Sequence, residues 1–250
     1  MLYRRNADVD QQQLRRSWQA GDAEAGVRYL RKKLRMEQII MPQICLAAGL
    51  LDEASLEILK DSFPEYYQYV IRQRHQKVPA TRKKFVGPAT GNGKYLWLSA
   101  GFSIRALIGA VDAIKEKLPE EVQQLPDECR AWLKLAAGDH EEPGQEIAER
   151  YLDFFEALPQ RKMRKRRDQH EALEEPKDRA CAAAFHLTHA ISMSSGGWRT
   201  RWKWGWASDR MEDGVVAAFR ACKFGEEGDE CADRLANKIR NEALSWLLLE

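Results

Sequence analysis

The sequence predicts an all-α protein, a multi-helix bundle or an irregular stack of helix pairs with about ten helices. Apolar residues recur at spacings of three and four along most of the 250-residue chain. The alternation of β-branched and polar residues that is typical of strands is almost absent, so a sheet is not expected. No repeat of fixed period is visible, which makes a regular solenoid the less favoured arrangement.

The first two predicted helices are separated by a turn at Gly21. Leu14 and Trp18 lie four residues apart on one face of the first helix, which is short. Asp22 is a suitable N-cap for the second helix. The apolar face of that helix carries Val27, Leu30 and Leu34.

Three more helices are predicted before a long basic loop. Two of them lie near Met36–Leu51 and Asp52–Lys60. The next is capped by Ser62, with Pro64 just inside its start. Residues Lys77–Lys94 contain two prolines and three glycines and predict a loop.

The central part of the chain carries the clearest amphipathic stripe. Its members recur with helical period and are Ile104, Leu107, Ile108, Val111, Ile114 and Leu118. Pro119 and Pro126 each open a short helix, and a longer helix lies between Pro143 and Pro159.

A polar, densely charged linker, Arg161–Glu175, precedes the last predicted helices. These helices lie near Asp178–Met193, Asp209–Cys222 and Asp229–Leu249. We therefore expect helical parts at 1–76, 95–160 and 176–250 and basic linkers at 77–94 and 161–175. Together they form one compact domain or two packed subdomains.

Charge is unevenly distributed along the chain, although the formal net charge is only +2. Arg72–Lys94 contains seven cations and no acid, and six of the seven residues in Arg161–Arg167 are basic. Leu118–Leu158, between them, is rich in Asp and Glu. Such zoning affects association with partners more than folding.

Cysteine usage and hydropathy indicate a cytoplasmic protein. Five cysteines without a CxxC pair predict free, mostly buried thiols, and neither a disulfide scaffold nor a zinc site. The first residues do not form a signal peptide, and the longest apolar run, Ile39–Leu51, is too short to span a bilayer. We expect no membrane partner.

Several segments resemble uncharacterised bacterial all-helical proteins. They include a Leu-Arg-Arg-x-Trp start and an Ile-Arg-x-Glu-x-Leu-x-Trp close, and they lie at Leu14–Asp22, Tyr29–Arg31, Leu34–Arg35, Leu46–Gly49 and Ile239–Leu248. Cys181, His186 and the tryptophans near position 200 stand where those proteins carry an alanine-rich run. The resemblance implies an all-helical bacterial protein, and it carries over no functional residue.

A phosphate-binding loop is not expected. Gly87–Lys94 is similar to a P-loop, but one residue too many separates its first glycine from the Gly-Lys pair. Tyr95 also stands where a Ser or Thr should bind magnesium. Adjacent carboxylates such as Glu120 and Glu121 diverge by about 100° on a helix, so they predict solvated faces and not an acid/base pair.

A metal site is not expected either. His186 and His189 share a helix face, and Cys181 lies nearby on the same helix. A zinc site needs a third and usually a fourth ligand, together with groups that orient them. We predict no metal, no cofactor and no enzymatic activity.

Two basic tracts are candidate partner-binding segments. They consist of Arg82, Lys83 and Lys84, and of Arg161, Lys162, Arg164, Lys165, Arg166 and Arg167. Clustered cations gain affinity for a polyanion by releasing counterions. Each tract could equally be a solvated linker, or be neutralised by the acidic part of the same chain.

A Trp-rich loop is the third candidate, and it contains Trp198, Arg199, Arg201, Trp202, Lys203, Trp204 and Trp206. Indoles attract cations and stack on unpaired bases, and Trp and Arg dominate protein-binding hot spots. Three uses remain open: packing in the core, contact with a protein, or contact with nucleic acid. The sequence favours an adaptor that binds another protein; the alternative is an RNA- or DNA-binding protein.

Overall fold

The structure is a computed structural model, and it describes residues 2–75, 96–135, 141–157, 175–195, 201–222 and 228–249. These ranges contain eleven α-helices and no strand, which confirms the predicted all-α class. In chain order the helices are α1 (Leu2–Gln19), α2 (Ala23–Arg35), α3 (Met41–Gly49), α4 (Glu53–Ser62), α5 (Pro64–His75), α6 (Leu96–Ala113), α7 (Leu125–Leu133), α8 (Glu141–Ala157), α9 (Pro176–Ser195), α10 (Arg201–Cys222) and α11 (Gly228–Leu244).

The chain divides into two compact units. Unit 1 consists of Met1–Asn92 together with Leu244–Glu250, and unit 2 consists of Gly93–Ala243. Short 3-10 turns at Lys115–Lys117 and Glu120–Val122 join α6 to α7. No helix in the described ranges is long and apolar enough to cross a membrane.

Helices α1 and α2 of unit 1 pair across a tight turn. Gly21 adopts a φ of +102°, a left-handed conformation that glycine tolerates because it has no Cβ. Asp22 then caps α2 by accepting a hydrogen bond from the Ala25 amide at 3.0 Å. The Trp18 ring packs so closely on Gly26 that a Cβ there would lie 2.5 Å from it. The structure confirms the predicted turn and the predicted cap.

A π-helical turn, Ser245–Leu249, is held in unit 1 by side chains of α2 and α3. The buried Lys33 donates a hydrogen bond to the Leu248 carbonyl at 3.1 Å. The Gln43 amide donates to the Leu247 carbonyl at 3.0 Å. Since carbonyls in a final helical turn lack helical partners, these donors satisfy them.

Helix α6 lies at the centre of unit 2. Every residue from Phe102 to Ile114 is buried, whereas the sequence predicted a single buried stripe. The helix is enclosed because it packs against both α9 and α10, which also pack extensively on each other. Its buried charged residues, Arg105 and Asp112, form ion pairs with other helices of the unit.

Small residues allow the helices of unit 2 to approach closely. A Cβ on Gly109 of α6 would lie 2.8 Å from the α11 backbone at Ile239. A Cβ on Gly214 of α10 would overlap the Leu107 side chain. Helix α9 adds fully buried alanines at 180, 182, 183, 184 and 190. Because the helices pack this closely, we expect added methyl groups to lower the stability of unit 2.

Some predicted helix boundaries were wrong. Ser62 is the last residue of α4, and α5 begins two positions later at Pro64. Helix α10 begins at Arg201, well before the expected Asp209. No proline interrupts this stretch, and Arg, Lys and Ala favour helices strongly enough to accommodate a single glycine. The predicted Trp-rich loop is therefore helical from Arg201 onward.

Cys222 and Cys231 form a disulfide, so the prediction of free thiols was wrong for these two residues. Their Cα atoms lie 5.2 Å apart because Cys222 ends α10 and Cys231 lies near the start of α11. That distance suits a disulfide. A search for CxxC pairs misses cysteines nine residues apart. The other three cysteines, Cys45, Cys129 and Cys181, are free and buried, as predicted.

Candidate partner-binding surface

Most residues selected from the sequence lie outside the described part of the chain. They are Arg82, Lys83, Lys84, Arg161, Lys162, Arg164, Lys165, Arg166, Arg167, Trp198 and Arg199. The others, Arg201, Trp202, Lys203, Trp204 and Trp206, belong to the first turns of α10. Because an α-helix advances about 100° per residue, positions 202 and 206 lie on one side of α10 and position 204 on the opposite side.

The histidines of α9 pack around an aromatic ring. The Phe185 ring lies 4.5 Å from the His189 ring and 5.8 Å from the His186 ring. His186 and Cys181 are both buried. Within the described ranges, no group of three or more His, Cys, Asp or Glu side chains is placed to hold a metal ion.

An acidic and apolar surface on α7 and α8 is the strongest candidate site that the structure describes. Pro126 lies in the first turn of α7, as the sequence predicted. Arg150 of α8 forms an ion pair with Glu128 of α7, which joins the two helices. Both residues line each of two cavities, and we refer to these cavities together as the α7–α8 surface.

The first cavity has a volume of about 370 Å³ and a mostly apolar lining, and we refer to it as the apolar cavity. Apart from the shared ion pair, it is lined by Ala131, Trp132, Leu135, Pro143, Glu146 and Ile147. Trp132 is buried and forms a fixed wall, whereas Leu135 is 38% exposed at the end of α7. An apolar side chain of a partner would remove Leu135 from water.

The second cavity, of about 390 Å³, is lined mainly by carboxylates and aromatic rings, and we refer to it as the acidic cavity. Apart from the shared ion pair, it is lined by Glu120, Glu121, Gln124, Tyr151 and Phe154. Glu120 and Glu121 are exposed, and no cation among the described residues lies within ion-pair distance of either. The cavity therefore offers negative charge next to aromatic faces.

Glu128 lines both cavities and interacts with two neighbours. It pairs with Arg150, and its negative charge acts on Tyr151. Burial, followed by the negative charge of Glu128, raises the pKa of Tyr151 to about 12, so its hydroxyl stays protonated. The Arg150 guanidinium lies 5.0 Å from the centre of the Tyr151 ring. This distance is within the range of a cation–π contact.

A partly buried ion network holds α7 in place. Arg130 of α7 donates to Asp112 of α6 and to Glu242 of α11, at 3.0 Å in both cases. Lys238 of α11 also donates to Asp112, at 2.5 Å, and Arg105 of α6 donates to Glu242 at 3.2 Å. Three helices of unit 2 are thereby linked through two carboxylates.

The network fixes the helix that carries Glu128. Arg130 follows Glu128 by two positions, so the two side chains project to opposite sides of α7. Burial alone raises the pKa of Asp112, but hydrogen bonds and positive charge from Lys238 and Arg130 outweigh it and hold the pKa below its usual value. Asp112 therefore remains ionised and continues to anchor Arg130 at neutral pH.

The sequence did not indicate this surface. Its adjacent carboxylates Glu120 and Glu121 predicted a solvated face, because neighbouring side chains diverge on a helix. In the structure they occupy a 3-10 turn and line a cavity. The available signal was Leu135, an apolar residue just past the end of a short amphipathic helix. No local pattern indicates the ion pair between Glu128 and Arg150.

No protein-family model, curated protein or solved structure matches this chain. The case for a function therefore depends on the geometry of the α7–α8 surface.

Proposed function

We propose that this chain is a non-enzymatic bacterial adaptor that binds another protein. The observation that best supports this function is the α7–α8 surface. The exposed Leu135 lines a cavity of about 370 Å³ there, and Glu128 and Glu146 line the same cavity. Exposed apolar surface with a polar rim is typical of protein-binding sites.

The residue types at this surface fit a protein interface. Trp and Arg are enriched among the residues that dominate binding energy, and Trp132 and Arg150 both line the apolar cavity. The network around Arg130 supports the same reading, because a helix fixed in advance loses little conformational freedom on binding.

Binding of RNA or DNA is the alternative function. It depends on the two basic tracts and on the tryptophans near position 200, and the structure describes none of these side chains. Carboxylates repel phosphates, so the α7–α8 surface favours a protein partner over a polyanion. Substituting Leu135 should abolish binding of a protein partner at the α7–α8 surface, but it should not affect binding of nucleic acid by the basic tracts.

A capture experiment with matched variants tests the adaptor function. The tagged chain is compared with Leu135→Arg and with the control Leu51→Arg, using an extract of the organism that makes the protein. Leu51 is also an exposed leucine, at 54%, but it lies in unit 1. We expect the wild type and the control to retain the same protein after nuclease treatment, and Leu135→Arg to lose it.

Two other results would count against this proposal. Retention of nucleic acid by all three proteins, with nuclease abolishing every co-purified protein, would support the alternative function. Loss of the partner from both variants would show that Leu135 has no special role. Circular dichroism of each variant checks that the helices remain intact.

A further inference from the structure

The apolar and acidic cavities are neighbours, because Glu128 and Arg150 line both of them. A single bound segment can therefore reach both at once. A small cation would occupy only the acidic cavity, and a small apolar molecule only the other. The combination fits a peptide segment that carries two kinds of side chain.

The apolar cavity selects a large apolar side chain. Trp132, Ile147 and Pro143 form its walls, and Leu135 lies partly exposed at its edge. Its volume of about 370 Å³ lies toward the lower end of the range for ligand pockets, ~300–1,000 Å³. Filling it with Leu, Met or an aromatic residue removes apolar surface of both partners from water.

The acidic cavity selects a cation. Its charged lining consists of Glu120, Glu121, Glu128 and Arg150, so carboxylates outnumber guanidinium groups. Glu128 is engaged by Arg150, which leaves the exposed Glu120 and Glu121 as acceptors for an incoming Lys or Arg. Phe154 lines the same cavity, and an aromatic ring attracts a cation placed over its face.

The Glu128–Arg150 pair does not block this binding. The Arg150 side chain is 59% exposed, and exposed ion pairs contribute only about 0–1 kcal/mol. A guanidinium from a partner can therefore compete for Glu128 while Arg150 turns into solvent.

We infer that the α7–α8 surface binds a short segment of the partner in which a Lys or Arg lies close to a large apolar residue. The apolar side chain enters the apolar cavity, and the cation enters the acidic cavity. This inference rests on the proposed adaptor function, and it adds the chemistry of the partner.

Selection from a random peptide library tests the inference. The library is displayed on phage and selected against the wild type, Leu135→Arg and the double variant Glu120→Lys, Glu121→Lys. A matched control carries Asp229→Lys and Glu230→Lys. Those two acids are also adjacent, exposed and in the first turn of a helix, but they lie away from the cavities.

We expect the wild type and the control to enrich peptides that pair a basic residue with a large apolar one. A synthetic copy of an enriched peptide should bind Glu120→Lys, Glu121→Lys about tenfold more weakly, because attraction becomes repulsion. Its affinity should also fall as salt is added. Leu135→Arg should lose the same peptides, while circular dichroism shows that its helices persist.

Other results would overturn the inference in distinguishable ways. Enriched peptides that are neutral or acidic, yet depend on Leu135, would refute the basic partner and leave the adaptor function standing. If the wild type and every variant enrich the same peptides, or if none enriches any peptide, peptide binding at this surface is refuted. The capture experiment with Leu135→Arg would then decide the adaptor function separately.

The chain itself supplies one competing occupant. The basic tract Arg161–Arg167 contains Met163 among its cations, so it also pairs basic and apolar side chains. A synthetic peptide of residues 160–168 is therefore added as a probe. Binding at the cavities as tight as that of the best library peptide would make this tract the occupant, and would overturn the inference of a partner.

Discussion

Asp112 and Arg130 form an ion pair at 3.0 Å in which the carboxylate is almost completely buried and the guanidinium is not. The Asp112 side chain is 5% exposed, and the Arg130 side chain is 24% exposed. Arg130 also pairs with Asp127, at 2.7 Å, but that carboxylate is 65% exposed. One arginine thus offers a direct comparison between a buried and an exposed partner.

Replacing the buried partner should cost far more than replacing the exposed one. We expect Asp112→Ala to lower the free energy of unfolding by about 2 kcal/mol, because charged donors on α7 and α11 lose their acceptor. Asp127→Ala should lower it by less than about 1 kcal/mol. Urea unfolding followed by circular dichroism measures both values, and equal losses would refute the ranking.

The contribution of Asp112 should disappear in acid. Its pKa is lower in the folded protein than in the unfolded chain, so its stabilisation is present above the unfolded pKa and lost as pH falls through the folded one. The stability gap between wild type and Asp112→Asn should be constant from about pH 7 to pH 5 and shrink below about pH 4. A gap that widens in acid would contradict this assignment.

Methyl groups added at two close helix contacts should differ in cost. Gly109→Ala places its Cβ 2.8 Å from backbone atoms of α11, which cannot move locally, whereas the Cβ of Gly214→Ala meets chiefly the end of the Leu107 side chain, with the His186 Cβ next at 3.0 Å. We expect Gly109→Ala to lower stability by about 2 kcal/mol, although alanine favours helix. Gly214→Ala should cost at least about 1 kcal/mol less, and thermal unfolding of both variants tests the order.

Removing the hydroxyl of Ser55 should not destabilise the protein. Ser55 Oγ is buried, and no described residue offers it a hydrogen-bond partner. We expect Ser55→Ala to raise the free energy of unfolding by up to about 1 kcal/mol, because an unsatisfied polar group is removed. The control is Thr188→Val, which loses a 2.9 Å bond to the Ala184 carbonyl and should cost about 1 kcal/mol. Loss of stability in Ser55→Ala would indicate an undetected partner.

Three free thiols should resist alkylation while the protein is folded. Burial raises the pKa of Cys45 to about 12, and burial with the nearby Asp178 raises that of Cys181 to about 11. Burial also raises the pKa of Cys129 well above its usual value. Because the thiolate is the reactive form, iodoacetamide at about pH 8 should label none of them until denaturant is added. Mass spectrometry should show Cys222 and Cys231 labelled only after reduction as well.

Local chemistry explains what could be predicted from the sequence. Asp22 caps a helix and Pro126 opens one because each acts on the backbone within a few positions of itself. The complete burial of α6 could not be predicted, because its charged Arg105 finds its partner, Glu242, 137 positions away. The partner of Glu128 lies 22 positions away, in a different helix. Only packing brings such pairs together, so the candidate site emerges from the tertiary structure.

Because Leu247 and Leu248 belong to unit 1, this unit cannot complete its folding until the end of the chain has been translated. Gln43 and Lys33 donate hydrogen bonds to the carbonyls of these two leucines and are synthesised early. The leucines emerge only after all of unit 2 has been translated. At ~5–20 residues per second, the nascent helices of unit 1 wait on the order of ten seconds with this part of their core open. During that interval, a chaperone that shields exposed apolar surface would protect the growing chain from aggregation.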